Sequence, residues 1–156
     1  MNTDPAIEPP AAPAARHIKQ IESYLFLDGR CEEAIEFYRQ ALDAEIGMLM
    51  RFSESPEPPA AGECAANVPG NKIMHAELRI GESRVMLSDG EAKGAPQFQG
   101  FALSLSLPDA AEAHRRFDAL AAGGAVIMPL ARTFFSSCFG MVTDRFGVSW
   151  MVGVFP

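Results

Sequence analysis

The sequence predicts an α+β fold of two βαβββ modules whose curved, mixed sheets surround a cavity. Three observations lead there. Residues 23–34 (Ser-Tyr-Leu-Phe-Leu-Asp-Gly-Arg-Cys-Glu-Glu-Ala) and residues 102–113 (Ala-Leu-Ser-Leu-Ser-Leu-Pro-Asp-Ala-Ala-Glu-Ala) lie 79 positions apart and follow the same course of apolar strand, turn and helix start. Each is followed by an extended apolar segment and then a hairpin, so the plan is doubled. Finally, 156 residues with 48% hydrophobic content can bury one proper core and hardly two.

Residues 1–18 are rich in Pro and Ala and are expected to be a disordered tail ahead of a single domain at 19–156. The modules occupy 19–88 and 101–156, with 89–100 as connector. Residues 21–27 read as a strand that Asp28-Gly29 breaks, and 31–42 as a helix with its apolar stripe at Ala34, Phe37, Tyr38, Ala41 and Leu42. Residues 45–52 form the next strand. The stretch 53–70 holds four prolines and two glycines, which predicts a long loop, a flap over the interior. Residues 72–80 and 84–88 make a hairpin through Gly81-Glu82-Ser83.

The second module opens with a strand at 101–107. Asp109, with Glu112 three residues on, is an N-cap in the capping-box spacing, and the helix runs to Ala122. A short strand at 125–128 follows, then a loop holding Phe134 and Phe135. Residues 138–143 and 148–154 pair through Asp144-Arg145-Phe146-Gly147.

Thirteen basic residues against twenty acidic ones give a net charge of -7, which repels phosphate backbones and anionic lipid. Nucleic acid and membrane are therefore excluded as partners. With no spanning run and no secretory signal in the sequence, a cytoplasmic protein is expected. Cys31, Cys64 and Cys138 are odd in number and far apart, which argues for reduced thiols over a disulfide framework.

Three segments together resemble the vicinal-oxygen-chelate superfamily of glyoxalases, bleomycin-resistance proteins and extradiol dioxygenases, and within it the PhnB-like branch. They are residues 24–38 (Tyr-Leu-Phe-Leu-Asp-Gly-Arg-Cys-Glu-Glu-Ala-Ile-Glu-Phe-Tyr), 72–81 (Lys-Ile-Met-His-Ala-Glu-Leu-Arg-Ile-Gly) and 140–151 (Gly-Met-Val-Thr-Asp-Arg-Phe-Gly-Val-Ser-Trp-Met). The resemblance covers the chain from Gln20 onward and implies a homodimer. It also implies where a metal would sit, since metal-using members draw ligands from the first and last strands of each module. The matching positions are Ser23, Leu87, Ala102 and Met151, none of them a donor for a hard divalent ion. No metal and no cofactor are expected.

With 23 and 102 taken as cavity-facing, alternation sends Ser23, Leu25 and Leu27 inward from the first module and Ala102, Ser104 and Ser106 from the second. The expected pocket is then Ser23, Leu25, Leu87, Ala102, Ser104, Ser106 and Met151, walled by Phe134 and Phe135. His75, beside Glu77, is either a general base in the cavity or a structural histidine on the outer face. Asp89 and Asp144 end strands, where they either bind a ligand or form turns as aspartates often do. A methyl-donor site needs a Gly-rich strand-to-helix turn, and Asp28-Gly29-Arg30 and Leu107-Pro108-Asp109 are not such turns. Three functions remain: a small-molecule binder, an enzyme using His75 or an unusual metal site, and an interaction protein with a filled cavity.

Overall fold

The computed structural model describes residues 17–57, 68–90 and 95–156. The expected tail, the centre of the 53–70 loop with Cys64, and part of the connector lie outside the described residues. Eight strands and two helices follow in the order β1 (Ser23–Phe26), α1 (Cys31–Leu42), β2 (Glu45–Arg51), β3 (Ile73–Ile80), β4 (Ser83–Ser88), β5 (Leu103–Ser106), α2 (Ala110–Ala121), β6 (Ala125–Ala131), β7 (Cys138–Thr143) and β8 (Ser149–Val154). They form two four-stranded mixed sheets, ordered β1-β4-β3-β2 and β5-β8-β7-β6. The α+β class and the two-module plan are those the sequence predicts. The two sheets do not close on one another, because no strand of one is hydrogen-bonded to a strand of the other among the described residues.

β1 and β5 are shorter than the predicted 21–27 and 101–107, and β6 is longer than predicted. β6 continues to Ala131 through Pro129, where the sequence predicts a strand ending at 128. Its pairing with β7 slips between Val126 and Met128 and again between Met128 and Ala131. Irregular pairing at an outer strand is where a proline, lacking an N–H, is tolerated.

The facing of the first module differs from the expectation, for a physical reason. Ser23, Leu25 and Leu27 pair alongside Val85 and Leu87, and this face carries the core beneath α1: Leu25, Leu27 and Leu87 are all at most 1% exposed. Tyr24, Phe26, Met86 and Ser88 occupy the opposite face. In the second module Leu103 and Leu105 lie beside Trp150 and Val152 on the helix side, while Ser104 and Ser106 face away from it. The two helices are 79 positions apart but the two first strands are 80 apart. The extra residue sits in the first strand-to-helix turn, absorbed by left-handed backbone at Asp28 (φ 45°) and Gly29 (φ 88°). An ungapped shift of 79 therefore misregisters the strands by one residue, which exchanges the two faces.

The modules meet through their helical sides. Tyr38 of α1 packs edge-on against Trp150 at 5.7 Å and lies near Phe146, and Phe37 meets Phe146 at 5.6 Å. Two arginines are exchanged: Arg30 covers the Phe146 ring at 4.5 Å and Arg145 covers Phe37 at 4.3 Å. Arg116 of α2 reaches the Ala41 carbonyl at 3.1 Å and the Asp43 carboxylate just past α1. At the other end of α2, Gly124 lies against the end of β7. A Cβ there would stand 2.1 Å from the Thr143 carbonyl oxygen and 2.9 Å from the Asp144 backbone. Backbone cannot swing aside as a side-chain tip does, so Gly124→Ala is expected to lose about 1–3 kcal/mol in urea unfolding. An unchanged midpoint would contradict this packing.

Cys31 and Cys138 are buried free thiols. Burial, with the Asp89 and Glu32 charges, pushes the Cys31 thiol well up, and burial with the Asp144 charge does the same to the Tyr38 phenol. Both acids are harder to ionise folded than unfolded. Their contribution to stability is full below the ordinary thiol and phenol values, about 8.5 and 10, and is lost as the pH rises past them. The melting temperature is expected to fall from about pH 8.5 upward, with Cys31→Ala flattening the first part of the decline; calorimetry across that range checks it.

Candidate functional site

A cleft of about 1060 Å³ lies at the seam between the modules. It follows β5, whose neighbours Ala102 to Leu107 line it in sequence, and on the other side it meets the residues leading into β1 and the tip of the β3–β4 hairpin. Consecutive residues lining one wall mean that the cleft runs along the free edge of β5 rather than over one sheet face. Of the expected pocket residues, Ser23, Ala102, Ser104 and Ser106 line the cleft. Leu25 and Leu87 do not, because they belong to the core under α1. Met151 sits on the face of the second sheet away from the helix, paired with Ser104 and Met141. Phe134 is fully exposed and Phe135 half-exposed in the loop before β7, where Phe135 packs on Phe139 at 5.0 Å.

The charged lining is what sequence reasoning missed. Five carboxylates (Glu22, Asp43, Glu45, Glu82, Glu112) stand against three arginines (Arg79, Arg84, Arg116). Every arginine is already engaged: Arg79 with Glu45, Arg84 with Glu22 and Glu77, Arg116 with Asp43 and Glu112. Arg84 hydrogen-bonds hold the Glu22 carboxyl below the usual carboxylate range, and Arg116 does so for Asp43. These pairs join residues far apart in sequence, such as Glu22 and Arg84 or Asp43 and Arg116, so no local spacing announces them.

His75 lies on the face of the first sheet turned away from α1, beside Glu77 and across from Tyr24. The Tyr24 hydroxyl and His75 Nδ1 are 2.8 Å apart, and His75 Nε2 is 3.3 Å from Glu77 Oε1. Asp89 and Asp144 are 4% and 3% exposed, and their carboxylates are consumed by the protein's own N–H and O–H donors. They hold the fold, not a ligand.

The pairs that bring first and last strands together on the faces away from the helices are Tyr24 with Met86, Phe26 with Ser88, Ser104 with Met151 and Ser106 with Gly153. These eight residues contain neither the imidazole nor the carboxylate that a hard divalent ion takes. Among the described residues, no group of three or more His, Cys, Asp and Glu is placed to hold an ion.

Residues 20–152 match the Glyoxalase/Bleomycin resistance protein/Dioxygenase superfamily. The chain belongs to that superfamily. It is 38% identical over 138 residues to Protein YjdN of Escherichia coli (strain K12), covering 86% of this chain and 94% of YjdN. Protein PA1353 from Pseudomonas aeruginosa, of known crystal structure, is 42% identical over 87% of this chain and 97% of its own, with a TM-score of 0.74. The Bacillus cereus protein described as a putative 3-demethylubiquinone-9 3-methyltransferase, PhnB protein, is 26% identical over 87% of this chain and 99% of its own, with a TM-score of 0.70. Within the glyoxalase/bleomycin-resistance/dioxygenase superfamily, the likeness is thus to its PhnB-like members.

Proposed function

We propose that this superfamily member binds a small organic molecule in the inter-module cleft without the metal its relatives use. The observation that carries the reading is the cleft itself: about 1060 Å³, with the Ser104 and Ser106 hydroxyls beside apolar Ile21 and Leu42. Mixed walls of this kind orient a ligand through a few polar groups while apolar surface supplies affinity. An excess of carboxylate over arginine, with every arginine paired, favours a neutral or cationic ligand over an anion. The methyltransferase description of the Bacillus cereus relative is not carried over, because the strand-to-helix turns here lack a Gly-rich phosphate loop.

The protein is further proposed to be a cytoplasmic homodimer. The outer strands β2 and β6 expose Ile46, Met48, Val126, Ile127 and Met128 at 40–62%, apolar surface of the sort a second copy covers. Among the described residues, no helix is long and apolar enough to cross a membrane.

A thermal-shift screen of matched amines, alcohols and carboxylates tests the binding reading, since a ligand that prefers the native state raises the melting point. Amines or alcohols are expected to raise it in the wild type and to lose about half their effect in the Ser104→Ala/Ser106→Ala double variant. If no compound shifts the wild type, or if carboxylates alone do, the cleft does not bind as described.

A further inference from the structure

β5 is an edge strand, and among the described residues nothing is hydrogen-bonded along its outer side. Leu107 N–H donates to the Gly153 carbonyl at 2.9 Å, so the odd-numbered residues here turn their backbone groups toward β8. Ser104 and Ser106 therefore turn theirs outward, an N–H and a C=O each, into the cleft. The leucines are open on the same side. Leu25 and Leu27 of the first module are 1% exposed, whereas Leu105 and Leu107, 80 positions on, are only partly buried and line the cleft. Proteins keep an edge strand unpaired with charged side chains, prolines or bulges. Leu103–Ser106 has none of the three, and its register with β8 is unbroken.

We infer that the β5 edge takes a short cationic peptide as an added strand, an inference that rests on the cleft being a binding site and specifies what it binds. The outward N–H and C=O groups of Ser104 and Ser106 pair with the peptide backbone. Main-chain hydrogen bonds supply affinity in strand addition, and alternate side chains supply selectivity. β5 is four residues long, and at about 3.3 Å per residue it matches a peptide of about four residues. On the helix side of the added strand, the open flanks of Leu105 and Leu107 suit an apolar residue.

The sign of the peptide's charge follows from the walls. Glu22, Asp43, Glu45 and Glu112 are shared with arginines, but Glu82 at the tip of the β3–β4 hairpin has no ion-pair partner among the described residues. The lining is net negative, and a peptide carrying lysine or arginine offsets it where an acidic one is repelled. β1 is also an edge strand, yet of its residues only Ser23 lines the cleft, and its leucines are closed under α1. The second module alone therefore presents an open backbone edge and open apolar flanks together.

The probe is the blocked peptide acetyl-Lys-Val-Lys-Val-amide, titrated into the ¹⁵N-labelled full chain. The Ser104 and Ser106 amide signals are expected to shift saturably and their deuterium exchange to slow about tenfold, while the Leu105 amide, turned toward β8, keeps its rate. Only alternate N–H groups of an added strand face β5, so N-methylation at both lysines or at both valines should abolish binding in one case and spare it in the other. Ser104→Pro removes an outward donor that the sheet does not use and should weaken binding about tenfold, whereas Ser104→Ala should leave it within about twofold. The Glu-Val-Glu-Val counterpart should move nothing. Unmoved serine amides, the same result from both methylated peptides, or equal binding of the acidic peptide overturns the inference. So do Ser104 and Ser106 amides already protected in the free protein, because a second copy or another part of the chain would then hold the edge. If amines or alcohols raise the melting point while the peptide moves nothing, the cleft still binds and the peptide inference alone falls; should Ser104→Pro fail to fold, the two methylated peptides decide.

Discussion

Asp144→Ala is expected to be among the most destabilising substitutions in this chain, lowering unfolding stability by at least about 4 kcal/mol. One buried carboxylate serves four donors. Oδ2 accepts from the Tyr38 hydroxyl at 2.6 Å and from Trp150 Nε1 at 2.9 Å, while Oδ1 accepts from the N–H groups of Phe146 at 2.9 Å and Val148 at 3.1 Å. The side chain therefore closes the β7–β8 turn, fixes the indole and ties α1 to the second module. Removing it strands four buried donors, and each unsatisfied group costs about 1–3 kcal/mol. Against a total stability of about 5–15 kcal/mol for a typical domain, that loss leaves little folded protein at 37 °C. Asp144→Asn retains one acceptor oxygen but turns an amide NH₂ toward donors, so a loss of about 2–3 kcal/mol is expected. Urea unfolding of both variants is the measurement; a shift below about 1 kcal/mol for the alanine variant would contradict this account.

Asp89→Ala is expected to cost about 3 kcal/mol and to loosen the start of α1 before anything else. The residue preceding the helix, Arg30, makes no side-chain cap hydrogen bond. The cap comes from the far end of β4 instead: Asp89 Oδ1 accepts from the N–H groups of Gly29 at 2.8 Å and Cys31 at 2.9 Å, and Oδ2 accepts from Ile73 N–H at 2.9 Å. A negative group at a helix N-terminus also meets the positive end of the helix dipole. In Asp89→Ala, hydrogen exchange at Gly29 and Cys31 should accelerate by more than at Ala113 in α2, whose cap, Asp109, is untouched. Equal acceleration in both helices would mean that Asp89 stabilises the chain only globally.

What sequence could show here was set by distance along the chain. α1 and β7 have the predicted bounds, because their signals are local: an apolar stripe at spacings of three and four, and a run of alternating residues before a turn. Asp109 was legible as a cap because its partner, the Glu112 N–H, is three residues away. Asp89 was not, since it caps a helix 58 residues earlier. The charged cleft and the chain from Tyr24 to Glu22 were hidden for the same reason: their members come from different strands, and only the sheet register brings them together. Facing in the first module differs from the expectation by a single residue, because the helices stand 79 positions apart and the first strands 80. The sheet alternation itself was sound, as the leucines of β5 beneath α2 show.

The two exchanged arginines carry a consequence for how the halves come apart. Each half lends a planar cation to a ring belonging to the other, so either half made as a separate polypeptide would present a bare phenyl group to water. Two such fragments, mixed, should seek each other out and restore the parent's circular-dichroism spectrum, while the intact chain should melt in one step, with no plateau in which one half survives its companion.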